Sequence, residues 1–263
     1  MHFTFFKYHG TGNDFIIIDN RLPNFPKNDT NLVQRLCDRR FGIGADGLIL
    51  LEEHPTLDFE MVYFNADGRT SSMCGNGGRC IVHFAEFMQM IRENTRFQAI
   101  DGSHHASFVD DGIALQMKNV EKIDVREGYC WLNTGSPHHV QLVKDVATYD
   151  IQENGKKLRY GLYGEKGSNI NFVQQLSEDT FEVRTYERGV EAETYSCGTG
   201  VTAVAIAMHK TGKTKANRVH LETPGGKLSV QFTVAEDGYK DIFLIGPAVQ
   251  VYRGDYHVQG SED

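Results

Sequence analysis

Two cysteines in nearly identical glycine-rich settings are the residues of this sequence best placed to move protons. Cys74 opens the segment Cys-Gly-Asn-Gly and Cys197 opens the segment Cys-Gly-Thr-Gly, and apolar residues follow each at helical spacing. A cysteine at a helix N-terminus lies beside unsatisfied N–H groups and the positive end of the helix dipole, which lowers its pKa and favours the thiolate. The pattern predicts two reactive thiols, each at the start of a helix.

A pair of such thiols on opposite sides of a substrate suits the inversion of a carbon stereocentre. One thiolate removes a proton from the carbon, and one thiol delivers a proton to its opposite face. The N–H groups at both helix starts bind carboxylate and stabilise the charge that develops as an α-proton leaves. This chemistry needs no cofactor and no metal. A reversible disulfide between the same two thiols, in a redox-active dithiol protein, is the competing use.

The other three cysteines, Cys37, Cys80 and Cys130, fall in apolar or strand-like surroundings and are expected to be buried core thiols. The odd number of cysteines and the lack of paired CxxC spacing argue against a metal site and for a reduced, cytoplasmic protein. The N-terminal residues show no signal-peptide pattern, which agrees with this expectation.

The elements that must position the two reactive cysteines recur in the same order in both halves of the chain. Strand-like segments at 59–64 and 181–186 precede the cysteine motifs, and hairpins centred on Gly112 and Gly238 follow them. The pattern predicts an α+β fold of two pseudo-symmetric domains from an internal duplication, each a mixed or antiparallel sheet or barrel around a central helix. We place the domains at 1–122 and 123–263, with the active site in the cleft between them.

Two further helices are expected outside the cysteine motifs. The first spans Asn31–Arg40, with apolar residues on one face and Gly42 as its C-terminal stop. The second is short and lies near Val143–Tyr149.

Composition limits the class of partner. The chain has 263 residues, with 27 Lys and Arg against 35 Asp and Glu, and therefore a net charge of −8. An acidic chain without a basic run is a poor binder of nucleic acid or of an anionic membrane, so the expected partner is a small molecule. No apolar run approaches the roughly 20 residues that a membrane-spanning helix requires.

Several other patterns carry weaker signals. Gly42–Gly47 matches the GxGxxG expression but lies between a helix and a strand, the reverse of the order in a dinucleotide site. The pairs His104-His105 and His138-His139 point to opposite faces of a strand, so neither pair chelates one metal. The pair Glu187-Arg188 either presents charges to a zwitterion or forms a solvated surface.

The sequence resembles the diaminopimelate epimerase family over essentially its whole length. The segments that carry the resemblance are His9-Gly-Thr-Gly-Asn-Asp-Phe, Phe41-Gly-Ile-Gly-Ala-Asp-Gly, Asn65-Ala-Asp-Gly, Met73-Cys-Gly-Asn-Gly-Gly-Arg-Cys and Tyr186-Glu-Arg-Gly-Val-Glu, with Cys197-Gly-Thr-Gly. The resemblance implies a two-domain fold and a cofactor-independent epimerase that interconverts LL- and meso-diaminopimelate for lysine and peptidoglycan synthesis. It also implies that the C-terminal strand of the chain can return to the first domain, and it makes a homodimer the expected assembly. A proline-type racemase of the same fold is the alternative.

The family resemblance also assigns roles to individual residues. Cys74 and Cys197 match the acid/base pair, and His138 with Glu187 matches the residues thought to tune them. The expected substrate-binding residues are Asn13, Asn65, Gly75, Asn76, Asn169, Glu187, Arg188, Gly198 and Thr199. Without the resemblance, the asparagines in loops would be interpreted as turn residues.

The chain departs from the family pattern at a few places near these residues. Ser136 stands where many members have asparagine before Pro-His, Arg69 where serine is frequent, and Gly47 where some members have a glutamine ligand. The segment from Glu187 to Cys197 is one residue longer than in many relatives. These departures bear on substrate contacts and leave the cysteine pair intact.

Overall fold

The computed structural model describes residues 2–71 and 73–258. The first half of the chain contains β1 (His2–Gly10), β2 (Asn13–Asp19), α1 (Thr30–Cys37), β3 (Gly47–Glu52), β4 (Phe59–Asn65), α2 (Gly75–Phe87), β5 (Asn94–Ala99), β6 (Gly102–Val109) and β7 (Gly112–Gln116). The second half contains β8 (Ile123–Arg126), β9 (Tyr129–Asn133), β10 (Pro137–Leu142), α3 (Ile151–Gly161), β11 (Asn169–Gln175), β12 (Thr180–Glu187), β13 (Ala192–Thr194), α4 (Gly198–Lys210), β14 (Arg218–Thr223), β15 (Gly226–Ala235), β16 (Gly238–Gly246) and β17 (Val249–His257).

The described residues form two units. The first unit takes residues 2–115 together with 247–258, so β17 belongs to it although it lies at the far end of the chain. The second unit takes residues 116–246. No helix within the described ranges is both long enough and apolar enough to span a membrane.

The first unit is a mixed sheet around α2. Strand β1 pairs antiparallel with β17 on one side and with β2 on the other. Strand β2 runs parallel to β3, β3 antiparallel to β4, and β4 parallel to β5. The antiparallel meander β5–β6–β7 completes the unit.

The second unit repeats these pairings in the same order around α4. Strand β9 pairs antiparallel with β8 and β10, β10 runs parallel to β11, and β11 antiparallel to β12. Strand β12 runs parallel to β14, and β14–β15–β16 form the closing antiparallel meander. The duplicated α+β fold and both predicted hairpins are confirmed.

Both cysteine-led helices are held by burial on almost every side. Ten of the thirteen residues of α2 are buried, and the same is true of α4. A helix that is apolar around most of its circumference belongs in a core and not on a surface. The sheets therefore fix the positions of both helix starts, and with them Cys74 and Cys197.

The predicted helix at 31–40 is shorter than expected and begins one residue earlier. The structure has α1 at Thr30–Cys37, capped at its start by the Asp29 carboxylate, which accepts from Leu32 N–H. Asp38 ends the helix because its side chain accepts from the N–H groups of Arg40 and Phe41, at 2.7 Å in each case. The turn that Asp38 makes competes with a further helical turn.

The prediction of a short helix at Val143–Tyr149 is wrong. This segment is an irregular loop in which Asp145 accepts from the N–H groups of Ala147 and Thr148. The helix starts later, at Ile151, and Asp150 caps it by accepting from Glu153 N–H at 2.9 Å.

Candidate active site

Cys74 and Cys197 occupy the N-cap positions of α2 and α4, as the sequence predicts. In neither helix does the N-cap side chain accept a hydrogen bond from the first turn. In α1 and α3, by contrast, the carboxylates of Asp29 and Asp150 satisfy N–H groups of the first turn. The first N–H groups of a helix have no intrahelical acceptor, so the two cysteine-led helices present donors to a ligand.

In the first unit, asparagine side chains surround the sulfur of Cys74. Cys74 Sγ lies 3.4 Å from Asn13 Oδ1, and the same oxygen accepts from Asn76 Nδ2 at 3.3 Å. Asn13 Nδ2 in turn donates to Asp46 Oδ2 at 2.7 Å. Asn13 therefore lies against Cys74 and Asn76 against Asn13, and Asp46 fixes the orientation of the Asn13 amide.

A buried arginine lies beneath the start of α2. Arg79 is fully buried, and its guanidinium donates to Asn76 Oδ1 at 2.9 Å and to the carbonyl oxygens of Gly75 and Pro247 at 3.3 Å each. Burial lowers the pKa of Arg79. These bonds hold the first turn of α2, whose N–H groups are the expected carboxylate ligands.

Asn65 lies at the same edge of the first sheet as Asn13. Asn65, the last residue of β4, pairs with Gly47, the first residue of β3. On its other side Gly47 pairs with Phe15 of β2. A Cβ atom at Gly47 would lie 2.6 Å from both the ring of Tyr63 and the Phe64 carbonyl oxygen. The position that carries a glutamine in some relatives therefore has no room for a side chain here.

In the second unit, His138 reaches Cys197 through a threonine hydroxyl. His138 Nε2 lies 2.9 Å from Thr199 Oγ1, which lies 3.5 Å from Cys197 Sγ. The other ring nitrogen, Nδ1, lies 3.2 Å from Asn171 Nδ2. The sequence predicts His138 and Thr199 but gives no role to the Thr199 hydroxyl or to Asn171.

Asn169, Glu187 and Arg188 lie together at the edge of the second sheet. Asn169 Oδ1 accepts from the Arg188 N–H at 2.9 Å, and Arg188 Nη1 donates to the Lys166 carbonyl oxygen at 2.9 Å. Glu187 Oε2 accepts from Thr194 Oγ1 at 2.9 Å. Arg188 is an exposed residue.

Glu191 holds the turn that presents Glu187 and Arg188. Its carboxylate accepts from Gly189 N–H at 3.0 Å and forms an ion pair with Arg159 at 3.1 Å. The Glu191 N–H donates to the Glu187 carbonyl oxygen at 2.8 Å. This turn is the first part of the segment from Glu187 to Cys197, and its internal bonds keep Arg188 in place.

The remaining cysteines behave as core thiols. Cys37, Cys80 and Cys130 are all buried, at 4%, 0% and 3% exposure. Burial raises the pKa of the Cys37 thiol to about 12 and raises those of Cys80 and Cys130 as well. Such thiols are poor nucleophiles and bases near neutral pH.

The GxGxxG match and the histidine pair of β10 have ordinary places in the fold. The segment 42–47 joins α1 to β3, as expected from the sequence. Within the described residues, no group of three or more His, Cys, Asp or Glu side chains is arranged to hold a metal ion. His138 and His139 are both buried, because β10 is an interior strand between β9 and β11.

The buried, neutral state of His138 predicts a pH dependence of stability. Burial, and to a smaller extent the charge of Arg188, lowers the pKa of His138 to about 3. Because the pKa of His138 is lower in the folded than in the unfolded protein, protonation favours the unfolded state. The free energy of unfolding therefore keeps its full value, as far as His138 is concerned, above the unfolded pKa of roughly 6.5, and it decreases as the pH falls towards 3. In this range each pH unit costs up to about 1.4 kcal/mol of unfolding free energy from this one group.

We expect the His138→Gln variant to have a shallower pH dependence than the wild type between pH values of about 6.5 and 3. His83, His139 and His209, whose pKa values burial also lowers, contribute equally to both proteins, so the difference isolates His138. Denaturant unfolding at a series of pH values measures it. Parallel curves for the two proteins would contradict a neutral His138.

Gly200, in the first turn of α4, allows Asn171 to lie against the helix. A Cβ atom there would lie 2.6 Å from Asn171 Oδ1 and 3.3 Å from Cys197 Sγ. We expect Gly200→Ala to lower the free energy of unfolding by about 1–3 kcal/mol through overpacking and to reduce turnover by displacing Cys197.

Gly161→Ala is the matched control, since no heavy atom of the described residues lies within 4 Å of a Cβ at that position. Thermal unfolding and steady-state kinetics of both variants provide the comparison. Equal behaviour of the two alanine variants would show that Asn171 is not packed against Gly200.

Comparisons with known proteins agree with the fold. The family model described as diaminopimelate epimerase matches residues 5–123 and 130–251. A diaminopimelate epimerase from Flavobacterium psychrophilum is 58% identical over 249 residues, covering 94% of this chain and 97% of the relative. The Aquifex aeolicus diaminopimelate epimerase is 38% identical, covering 95% and 96% of the two chains.

The fold extends to proteins with little sequence similarity. The crystal structure of a Bacillus anthracis phenazine biosynthesis protein of the PhzF family matches with a TM-score of 0.79 at 14% identity. The match covers 98% of this chain and all of the solved one. At this identity the likeness concerns the fold alone.

Proposed function

The chain belongs to the diaminopimelate epimerase family, and on that premise we propose that it interconverts LL- and meso-diaminopimelate with Cys74 and Cys197 as its two proton carriers. The observation that carries the proposal is the pair of helices that each begin at a cysteine and lack a capping side chain. The reaction belongs to the biosynthesis of lysine and of peptidoglycan precursors. The protein is an isomerase of the racemase and epimerase class.

The proposed reaction has two proton transfers on opposite faces of one carbon. One cysteine thiolate takes the α-proton, so a C–H bond breaks and an S–H bond forms. The other cysteine thiol gives its proton to the opposite face, so an S–H bond breaks and a new C–H bond forms with inverted configuration. The electron pair stays with the substrate throughout, and no electron acceptor is needed. Each of the duplicated halves supplies one of the two cysteines.

The charge that develops on the substrate is stabilised at the two helix starts. We assign the α-carboxylate to the N–H groups of Gly75 and Asn76 on α2 and of Gly198 and Thr199 on α4. Supporting this, the carbonyls of Cys74 and Cys197 already accept the first helical bonds, from Gly78 at 2.7 Å and Val201 at 2.9 Å, so both helices are regular from their first turn. Fixed N–H dipoles at a developing negative charge commonly lower a barrier by several kcal/mol.

The second amino-acid end of diaminopimelate needs groups for an ammonium and for a carboxylate. Glu187 accepts hydrogen bonds from the ammonium, and Arg188 binds the carboxylate through two parallel hydrogen bonds. The side-chain amides of Asn13, Asn65 and Asn169 can bind either group, because each has a donor and an acceptor. The contact between Asn169 and the Arg188 backbone supports a common role for these two residues. His138 and Glu187 tune the cysteines in this scheme, His138 through Thr199.

Two further parts of the proposal concern the setting of the enzyme. Cytoplasmic location is proposed because the mechanism requires both thiols to be reduced, and a reducing compartment keeps them so. We also propose a homodimer as the assembly. The expected partner is the small-molecule substrate, with no bound cofactor, nucleic acid or membrane.

The proposal is tested with purified, reduced protein and LL-diaminopimelate, with chiral analysis of the product. We expect meso-diaminopimelate to form without added pyridoxal phosphate or metal, and neither a carbonyl reagent nor a chelator to slow the reaction. Proline serves as the comparison substrate and should not be racemised. Racemisation of proline without conversion of diaminopimelate would overturn the proposal in favour of the alternative within the same fold.

A further inference from the structure

A chain of polar groups in the second unit ends at the sulfur of Cys197. Its members are Asn171 on β11, His138 on β10 and Thr199 in the first turn of α4. Asn171 and His138 are fully buried at 0% exposure. Thr199 is half-buried. The hydrogen-bond directions between Asn171 and His138 are fixed, because no solvent is at hand there to exchange partners.

The orientation of the Asn171 amide follows from its two fixed partners. Asn171 Nδ2 donates to the His139 carbonyl oxygen at 2.8 Å, and that oxygen only accepts. Asn171 Oδ1 accepts from Thr185 Oγ1 at 3.0 Å. The second proton of Nδ2 therefore points to His138 Nδ1, 3.2 Å away. His138 Nδ1 must accept and carries no proton.

His138 then holds its proton on Nε2. The ring is neutral because burial disfavours the imidazolium, so it has one N–H group. Nε2 has two polar neighbours, Thr199 Oγ1 at 2.9 Å and Asn169 Nδ2 at 3.5 Å. Asn169 Nδ2 donates to the Pro137 carbonyl oxygen at 3.3 Å, so we assign the short contact as a donation from Nε2 to Thr199. The Thr199 hydroxyl, having accepted this bond, directs its own proton elsewhere, and Cys197 Sγ lies 3.5 Å away. The hydroxyl is thus placed to donate to Cys197 Sγ, and a hydrogen bond in that direction stabilises a thiolate.

The surroundings of Cys74 have the opposite polarity. Asp46 is a carboxylate and only accepts, so the Asn13 Nδ2 group faces Asp46 and the Asn13 Oδ1 atom faces Cys74. Since the Asn13 oxygen can only accept, the contact at 3.4 Å is a hydrogen bond only if Cys74 Sγ carries a proton and donates it. A thiolate at Cys74 would place negative charge against the carbonyl oxygen.

Charged groups also face the two sulfurs. Arg79 lies on the same helix as Cys74, and its charge favours the thiolate there. Its hydrogen bonds run to the oxygens of Gly75, Asn76 and Pro247, whereas the Asn13 oxygen touches the sulfur directly, and we give the direct contact the greater weight. In the second unit the charge of Arg188 acts on His138, and Glu187 precedes Arg188 at the end of β12.

We propose that Asn171 is a positioning residue that fixes the Nε2–H tautomer of His138, and that the resulting donor chain through Thr199 makes Cys197, and not Cys74, the resting thiolate. In the proposed reaction the free enzyme is then ready for the isomer whose α-proton faces Cys197. This consequence rests on the proposed function, whereas the donor chain itself does not.

The test measures the alkylation of each cysteine in the reduced full chain, without substrate, over a series of pH values. Iodoacetamide labelling followed by peptide mass spectrometry gives separate curves for Cys74 and Cys197. We expect the midpoint for Cys197 to lie below that for Cys74. In Thr199→Val, which removes the hydroxyl, the Cys197 midpoint should rise by about one to two pH units, the shift expected for loss of one hydrogen bond to a charged group.

Thr199→Ser retains the hydroxyl and should return the Cys197 midpoint to near the wild-type value, while the Cys74 curve serves as the internal control. Asn171→Leu should raise the Cys197 midpoint too, and nitrogen NMR of histidine should show the wild-type His138 proton on Nε2. A lower midpoint at Cys74, an unshifted Thr199→Val curve, or a proton on Nδ1 would each overturn the inference. Since no substrate is present, these outcomes leave the proposed epimerase activity to its own assay.

Discussion

Replacing either Cys74 or Cys197 by serine is expected to lower the rate of epimerisation by roughly 10²- to 10⁴-fold or more, the range that positioned acid–base groups contribute. A serine hydroxyl is a far weaker acid and its alkoxide is inaccessible near neutral pH, so either change removes one of two required proton transfers. Because the two cysteines act as a unit, the double variant should be little worse than either single variant.

Cys130→Ser is the matched control for these variants. Cys130 is a buried thiol on β9 whose pKa burial raises, and it has no place in the proposed proton transfers. We expect it to retain turnover. Conversion of both isomers at near-normal rates by Cys74→Ser or Cys197→Ser would exclude the two-base scheme.

The second large effect is expected at Arg188, which we place at the distal end of the substrate. Arg188→Ala should lower kcat/KM for diaminopimelate by on the order of 10²- to 10⁴-fold, because two charge-assisted hydrogen bonds of about 1.5–3 kcal/mol each are lost. The loss should appear mainly in KM, since the distal carboxylate does not change during the reaction. Steady-state kinetics of the variant measure the division between KM and kcat.

Arg126→Ala provides the control for the loss of an arginine. Arg126 is an exposed residue on β8 that pairs with Asp124 at 2.7 Å, so its replacement should leave kcat/KM unchanged. Equal kinetics for Arg188→Ala and the wild type would place the distal binding site elsewhere and weaken the case against the proline-type alternative, whose substrate has no second amino-acid end.

The parts of the fold that the sequence predicts are those with local signals. The starts of α2 and α4 follow from a Cys-Gly-x-Gly segment before a run of apolar residues at helical spacing. The hairpins β6–β7 and β15–β16 follow from an Asp-Gly signal between alternating segments. In each case the residues that specify the element are neighbours in the chain, so their pattern is visible without tertiary contacts.

The helix α3 gives no such signal because its buried face is not apolar. Its buried residues are Ile151, Gly155 and Arg159, so glycine and arginine take the places of two hydrophobic residues. Gly155 is needed there because a Cβ atom would lie 2.4 Å from Tyr186 Cβ. Arg159 is buried because Glu191 pairs with it. Both reasons depend on β12 and its turn, which no local pattern reveals.

The residues of the candidate site also fall into those that local sequence predicts and those that only tertiary contacts reveal. Cys74 and Cys197 are found from their own flanking residues, whereas Asp46, Arg79 and Asn171 act through contacts with residues elsewhere in the fold. Asn171 carries one weak sequence signal, since it lies two residues after Asn169 and a strand places both on one face. Its partners, His138 and Thr185, come from the two neighbouring strands.

The most direct test of the two-base account is the initial incorporation of deuterium from heavy water during turnover of LL-diaminopimelate, followed by NMR and chiral separation. Because the proton delivered to the product comes from a second thiol, the account predicts deuterium in newly formed meso-diaminopimelate from the first turnovers, while recovered LL-diaminopimelate keeps its α-proton. Equal early deuteration of both isomers would show that one group serves both faces, and turnover without deuterium incorporation would show that the original proton is returned; either result would contradict the roles given to Cys74 and Cys197.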